Sequence, residues 1–504
     1  MKKIAFMFGA GAEMSYNLPS GGDFALNIFK RDTTESKNVF RRMRESIDSQ
    51  TSYTSWLPPD YKTKSISAFG RKAFEDIIHG TVEQNRDTII KRLSTIDELC
   101  EAIHEQMATN NIDVSRAFFN ITDKTIENSN MGSDIRFNKV FSNGDNTLFT
   151  SNYYSACLLA YKRMKQKAHH EAKELGKIIS AILQLEIGAL GEKLVKNIND
   201  GLFEAKDDDL DILDDLGDII HLDYQAVGLA GFEYLLEANE SDTSTDCGII
   251  LSFAQKLLQC IYATVLDYKT LIDSNWMYLY QPSKEWGKFC KISIFLLNTQ
   301  AYMKTLLDNV DTSLDGYYSD IRSAEEKNEI QVTAIGTSNY TNLAESIIGH
   351  DVTYLNGSLD MWYDPYLNRI GTKEELDDSE KHIIVPLLFT QSGTKPMISI
   401  DMSRKYVDYF NALADSDEIC IIGFGFNQDD EHINGMFREL IDRKEKPVTI
   451  VMLENQETER QTKNYIAKKL KITKTDNLSI VKVDKDRCRN GVPWIDSFIS
   501  SLEI

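Results

Sequence analysis

After "EKNEI" the period of the chain changes. Short runs rich in Val and Ile follow one another: "QVTAIGTSN", "DVTYLNGS", "HIIVPLLF", "EICIIGFGF", "PVTIVMLE" and "LSIVKV". They are bounded by Gly, Asn and Asp and separated by helical text such as "SRKYVDYFNALADSD" and "DEHINGMFREL". Near-continuous apolar strands alternating with helices point to a parallel sheet covered on both faces. Ile4 to Gly9 has the same character, at the other end of the sequence.

Between about Thr150 and Asn328 the text is almost wholly helical, as in "LLAYKRMKQKAHHEAKELGKIISAILQLEIGAL" and "ISIFLLNTQAYMKTLLDNV", where apolar residues recur at helical spacing. The expected fold is therefore α/β: a Rossmann-like open parallel sheet with helices on both faces, carrying a large, mostly α-helical insertion. Residues 1–30 give the first strand and a phosphate turn, 31–329 the mostly helical insertion or regulatory region, and 330–504 the rest of the sheet domain.

The opening "MKKIAFMFGAGAEMSYNLPSGGDF" has two readings. Two lysines, an apolar run and an A-x-A pattern imitate a secretory signal peptide. The same residues make a buried strand ending in a glycine turn. The glycines follow only a short apolar run, and the later strand ends need a first strand beside them, so the strand reading is preferred. The seven cysteines are odd in number, scattered and never C-x-x-C, which indicates neither a disulfide framework nor a structural zinc site and favours a reducing, cytoplasmic setting. No metal site is expected.

A formal charge of -21 disfavours a general nucleic-acid or anionic-membrane role. No apolar run approaches the roughly 18 residues a membrane helix needs. The basic stretch from Lys162 to Lys177 reads as a solvated helix face. The acidic run from Asp207 to Asp218 reads as a solvated loop or helix edge, because it lacks the spaced ligands and central glycine of an EF-hand loop. "TSNY" occurs twice; the first copy reads as a helix start capped by Ser151 or Asn152.

Chemistry concentrates at the expected strand ends. Gly9 and Gly11 permit a tight turn and a close approach of backbone N–H groups to a pyrophosphate, although Met14 occupies the third position of a G-x-G-x-x-G fingerprint. "TAIGTSNY" delivers Ser338 and Asn339, "YLNGS" ends in Asn356, Gly357 and Ser358, and "EICIIGFGFNQDDEHI" closes on Gly423 and Gly425 before a helix beginning near Asp429. In open α/β sheets ligands bind outside the carboxyl ends of the strands at a topological switch point. Four such ends predict one crevice.

The series GAG…P, T-x-N-Y, x-G-S and I-I-G-x-G-x-x-x-D-D resembles the sirtuin-like superfamily, and within it the divergent bacterial branch of antiphage and abortive-infection NADases. The likeness covers about the first 30 residues and those from about 330 onward. It implies that Gly9, Ala10 and Gly11 cradle the NAD diphosphate, with Ala12 and Pro19 completing the turn. Asn339 takes the family asparagine's role at the nicotinamide ribose, supported by Ser338 and Tyr340. Asn356 with Ser358 holds hydroxyls, Gly423 and Gly425 line the adenosine end, Gly357 and Asp429 also bind the cofactor, and Asn339 and Asn356 are the catalytic residues.

Three positions depart from the family pattern. Glu13 stands where many members have serine, Asn17 precedes Leu18–Pro19 where a glycine is usual, and Asn356 replaces the histidine that serves as general base. Asparagine orients a hydroxyl but takes no proton at neutral pH. Candidate substitute bases are His350, Asp360, His382, Asp429 and His432, each of which also reads as a helix cap or surface residue. The zinc-ribbon cysteines of protein deacylases are missing, which favours hydrolysis of NAD over peptide deacylation.

The resemblance thus implies a cytoplasmic effector of antiphage defence that hydrolyses NAD to nicotinamide and ADP-ribose when triggered, using NAD as substrate and no metal. A homo-oligomer or a partner defence protein is implied as the restraint. The alternative expectation is a nucleotide-binding sensor or assembly subunit with weak or no catalysis.

Overall fold

The computed structural model describes residues 1–19, 21–70, 85–129, 135–137, 148–190, 203–205, 228–239, 241–265, 272, 275–376, 381–389, 399–454 and 457–502. The acidic run Asp207–Asp218 lies outside these residues. The chain divides into two units, one formed by Met1–Ser20, Arg31–Ala68 and Leu271–Ile504, the other by Gly21–Lys30 and Phe69–Thr270.

The first unit is built on a six-stranded, all-parallel sheet. Its strands in chain order are β1 (Lys2–Phe8), β2 (Ile330–Thr337), β3 (Val352–Tyr354), β4 (Glu418–Ile422), β5 (Val448–Leu453) and β6 (Leu478–Val483). Their order across the sheet is β3-β2-β1-β4-β5-β6, the doubly wound order of a Rossmann-like fold. β1 is central: Lys2 to Phe8 pair with Ile330 to Thr337 on one side, and Ile4 to Phe8 with Glu418 to Ile422 on the other. Ile4, Ala5, Phe6, Met7 and Phe8 are all fully buried, as expected of a strand covered on both faces.

On one face, Ile4, Phe6 and Phe8 join a core with Tyr317, Tyr318 and Ile321 of the helix Tyr317–Glu326, Leu343 and Ile347 of Leu343–Ile348, and Trp494 and Phe498 of Trp494–Ser501. The helix Ile400–Asp415 packs against β2, with Tyr409 donating a hydrogen bond to the Phe6 carbonyl at 2.8 Å. It is followed by Glu431–Asp442 and Glu459–Leu470, each packed on the helix before it.

One expected strand leaves the sheet. Val385–Leu388, from "HIIVPLLF", belongs to a separate antiparallel sheet, at the edge beside Gly357–Asp364, with Arg369–Gly371 on the far side. Pro386 explains this, because a residue without an N–H is excluded from a central strand and tolerated at an edge. The helix Trp286–Leu307 covers that sheet and also packs on Thr34–Ser46. Stretches 31–68 and 271–329, read from sequence as part of the insertion, therefore fold with the sheet, because the second sheet needs an apolar cover.

The second unit is mainly helical, with Asn152–Met164, His169–Leu190 and Asp246–Val265 among its longer helices. Ser151 caps the first of these, its hydroxyl accepting from the Tyr154 N–H at 3.0 Å. Lys162–Lys177 spans the turn between the first two helices: Arg163, Lys165, Lys167, Lys173 and Lys177 are exposed, whereas Ala172 and Leu175 are buried. This is a solvated helix face. No helix among the described residues is long and apolar enough to cross a membrane.

Within the first unit, His382 is buried against Asp364, with Nδ1 to Oδ2 at 2.6 Å, and it stacks on Tyr53 at a ring separation of 4.1 Å. Asp364 also accepts from the Tyr366 and Leu367 N–H groups at 2.8 and 3.1 Å. Removing Asp364 leaves these buried donors without an acceptor, at about 1–3 kcal/mol for each one left unsatisfied. Asp364→Ala is accordingly expected to lower the unfolding free energy by about 3 kcal/mol or more in urea denaturation, with the ligand site otherwise unaltered.

Candidate functional site

The switch point of the sheet lies between β1 and β4, and here the two backbones meet with no side chain between them. Beyond β1 the Gly9 N–H donates to the Ile422 carbonyl at 2.9 Å and the Gly11 N–H to the Gly423 carbonyl at 3.0 Å. A Cβ on Gly9 would sit 2.5 Å from the Gly423 oxygen, and one on Gly11 2.8 Å from the Gly423 Cα. The glycines are thus required by backbone contact. Ala12 N–H and Glu13 N–H close a 3-10 turn onto the Gly9 and Ala10 carbonyls at 2.9 and 3.1 Å. Most amides of the turn are therefore engaged within the fold. Ala10 is exposed, Ala12 buried and Pro19 half-buried. Asn17 adopts the left-handed conformation, with φ 61°, which asparagine accommodates better than most residues.

The end of β2 is fastened to the end of β1. The Ser338 N–H donates to the Phe8 carbonyl at 3.0 Å, and the Asn339 N–H to the Thr337 hydroxyl at 3.0 Å. The Asn339 side chain is buried, and its Nδ2 donates to the Gly9 carbonyl at 3.0 Å. Its donor end is thereby turned inward. Tyr340 donates to the Phe389 carbonyl at 2.9 Å.

Glu13 turns away from the glycine turn into the core. Its carboxylate accepts from the Thr341 hydroxyl and, at 3.2 Å, from the Tyr318 hydroxyl, and Asn339 adds a further side-chain hydrogen bond. Burial pushes its pKa up to about 7, against the lowering effect of these donors.

β3 stops at Tyr354, earlier than the sequence suggested, and Gly357 opens the next strand with Ser358 buried in it. Gly357 has φ 81°, and a Cβ there would collide with the Leu387 carbonyl at 1.8 Å. Asn356 sits at the corner. Its Nδ2 donates to Asp430 Oδ1 at 3.3 Å, while its buried Oδ1 has no partner among the described residues. Tyr406 donates to the neighbouring Leu355 carbonyl, and its ring meets His432 edge-on at 5.5 Å.

After β4 the loop Gly423–Asn427 holds two unusual conformations, Gly423 at φ 66° and Phe426 at φ 50°. Phe424 and Phe426 are buried and meet edge to face at 5.1 Å, and Lys469 donates to the Gly425 carbonyl at 2.9 Å. Gln428–Asp430 form a 3-10 turn in which Asp429 is half-buried, and the following helix begins at Glu431.

The sheet thus gathers Gly9, Gly11, Ser338, Asn339, Asn356 and Gly423 at its carboxyl edge. The candidate substitute bases mostly lie elsewhere. His350 precedes β3, at the opposite edge, and pairs with Glu325 at 2.7 Å. Asp360 is exposed on the strand Gly357–Asp364. His382 is consumed by Asp364. His432 belongs to the helix that follows Asp430, beside Tyr406. Sequence reading missed the roles of Glu13, Tyr318, Thr341, Tyr406 and Asp430. Only Glu13 carried a signal, as a charge within otherwise apolar text. Among the described residues no cluster of three or more His, Cys, Asp or Glu is placed to hold a metal ion.

Compared with known proteins, the chain matches no family model and no curated protein. Fold and strand ends together define a Rossmann-like α/β protein whose switch point is lined by glycines, asparagine amides and a buried carboxyl.

Glu13 makes stability depend on pH. Its folded pKa of about 7 lies above its ordinary value of 4.5, so the folded state keeps the proton after the unfolded chain has lost it. Its stabilising contribution is complete below pH 4.5 and is lost as pH rises through 7. Relative to Glu13→Gln, the native protein is expected to lose on the order of 3 kcal/mol across that window, measured by urea denaturation at a series of pH values. Parallel pH profiles for the two proteins would contradict this.

Proposed function

We propose that this chain is a divergent sirtuin-like NAD glycohydrolase, acting in the cytoplasm as a triggered effector of bacterial antiphage defence. One observation carries the reading: Asn339, Asn356 and the glycines of the β1 and β4 turns converge at the switch point of a β3-β2-β1-β4-β5-β6 sheet, where such folds take dinucleotides.

In this reading NAD lies over the ends of β1 and β4, with its nicotinamide ribose toward Asn339 and Asn356. The glycosidic bond breaks with its electron pair leaving on nicotinamide, through an oxocarbenium-like state similar to that of glycoside hydrolysis, and water adds to the ribosyl carbon and releases its proton to solvent. Asn339, held by its Nδ2 to Gly9, keeps its amide oxygen for a ribose hydroxyl or the attacking water. Ser338 and Tyr340 support the same segment. The helical unit, a homo-oligomer or a partner defence protein supplies the restraint that such an activity requires.

A second reading is favoured by the engaged amides of the turn and by asparagine at position 356: a nucleotide-binding sensor or assembly subunit without turnover. Release of nicotinamide from NAD separates the two. The enzyme reading expects release that falls by about a hundredfold in Asn339→Ala, the scale of losing a positioned polar group in a transition state. Retained NAD binding without release in any assembly state establishes the sensor reading instead.

A further inference from the structure

Asn356 raises a separate question. It is 5% exposed, its amide nitrogen is committed to Asp430 Oδ1 at 3.3 Å, and its amide oxygen is buried without a partner among the described residues. A buried acceptor left unsatisfied is costly, and an amide normally escapes that cost by turning over to exchange its oxygen and nitrogen. Here turning over is blocked. It would bring the oxygen onto the Asp430 carboxylate and remove the bond that the NH2 group makes.

We propose that Asp430 is a positioning residue that locks the Asn356 amide with its oxygen kept for a ligand, so that the ligand group received at the end of β3 is a hydrogen-bond donor. Under the NAD reading, on which the identity of the ligand rests, that group is a hydroxyl of the nicotinamide ribose. A phosphate offers only acceptors here and is excluded from the corner by both the amide oxygen and the carboxylate.

The local architecture fits a positioning role. Asp430 immediately precedes the helix Glu431–Asp442 at its N-cap position, yet its side chain makes no capping bond there. The corner that carries Asn356 is itself fixed, by the Tyr406 bond to the Leu355 carbonyl and by the Phe389 N–H donating to the Asn356 carbonyl at 2.9 Å. The side-chain amide is thus the one part of this residue whose orientation depends on Asp430.

The test uses ADP-ribose, which lacks the scissile bond, and its counterparts lacking one or the other hydroxyl of the terminal ribose. These are titrated against the full chain and against Asp430→Gly and Asp430→Ser, both of which suit a helix N-cap. In the native protein one deoxy analogue is expected to bind about tenfold or more weakly than ADP-ribose, the scale of a hydrogen bond lost from a buried acceptor. In both variants that ratio is expected to fall below about threefold, because the freed amide can turn its oxygen away when the ligand offers no donor.

Selective 15N labelling of asparagine, read at the Asn356 side-chain amide, provides a measurement that needs no ligand. Its resonance is expected to shift in both variants. Undiminished discrimination in the variants, or an unshifted Asn356 amide, overturns the proposal. If no form binds ADP-ribose while the amide does shift, the NAD reading falls and the amide lock stands.

Discussion

Everything at the carboxyl edge of the sheet depends on the bare contact of two backbones. Gly9 and Gly11 lie so close to Gly423 that a single methyl group on either would overlap main-chain atoms. That contact brings the turn after β1 within reach of the loop after β4, and from the turn the rest is hung. Gly9 supplies the carbonyl that orients Asn339, and two residues past Gly11 the chain sends Glu13 down to Tyr318 and Thr341. The same glycines that suggest a phosphate cradle are thus needed for the architecture itself, and both demands select the residue with no side chain.

The two asparagines share a design. Each has its NH2 end tied to a fixed acceptor, Asn339 to the Gly9 carbonyl and Asn356 to Asp430. An amide is a neutral group with one donor end and one acceptor end, and anchoring the first leaves the second to define the site. A nearby carboxyl accompanies each pair, Glu13 in the core beside Asn339 and Asp430 beside Asn356. Burial holds Glu13 partly protonated near neutral pH, so the inner carboxyl carries less charge than its residue type implies.

Much of the fold was legible because parallel strands buried on both faces leave a near-continuous apolar signature, which β1, β4 and β5 carry most fully and β2 and β6 with polar interruptions. The sequence placed Ser338, Asn339, Asn356 and Gly423 at strand ends for the same reason. "HIIVPLLF" carried the same apolar signature but also Pro386, and the missing donor sent it to the edge of a different sheet. The limits of the insertion were not legible, since a helix covering an apolar sheet and one belonging to a separate helical unit show the same periodicity. Nor were the roles of Tyr318, Thr341 and Asp430, which act through contacts between segments far apart in the chain. Glu13 stood out as a charge in apolar surroundings, but which way it pointed depended on donors contributed from more distant segments.

The central place of β1 also sets an order of events during synthesis. The strand precedes both of its neighbours, Ile330–Thr337 and Glu418–Ile422, by more than 300 residues of the sequence. Until they emerge a largely apolar strand has neither edge satisfied, and loop-closure entropy opposes its pairing with such remote partners. The helical unit, whose segments all lie before β2, is free to form on the ribosome, whereas the sheet closes last. The nascent chain therefore carries an exposed, pairing-competent strand until those partners emerge, the kind of segment that chaperones shield and that aggregation exploits.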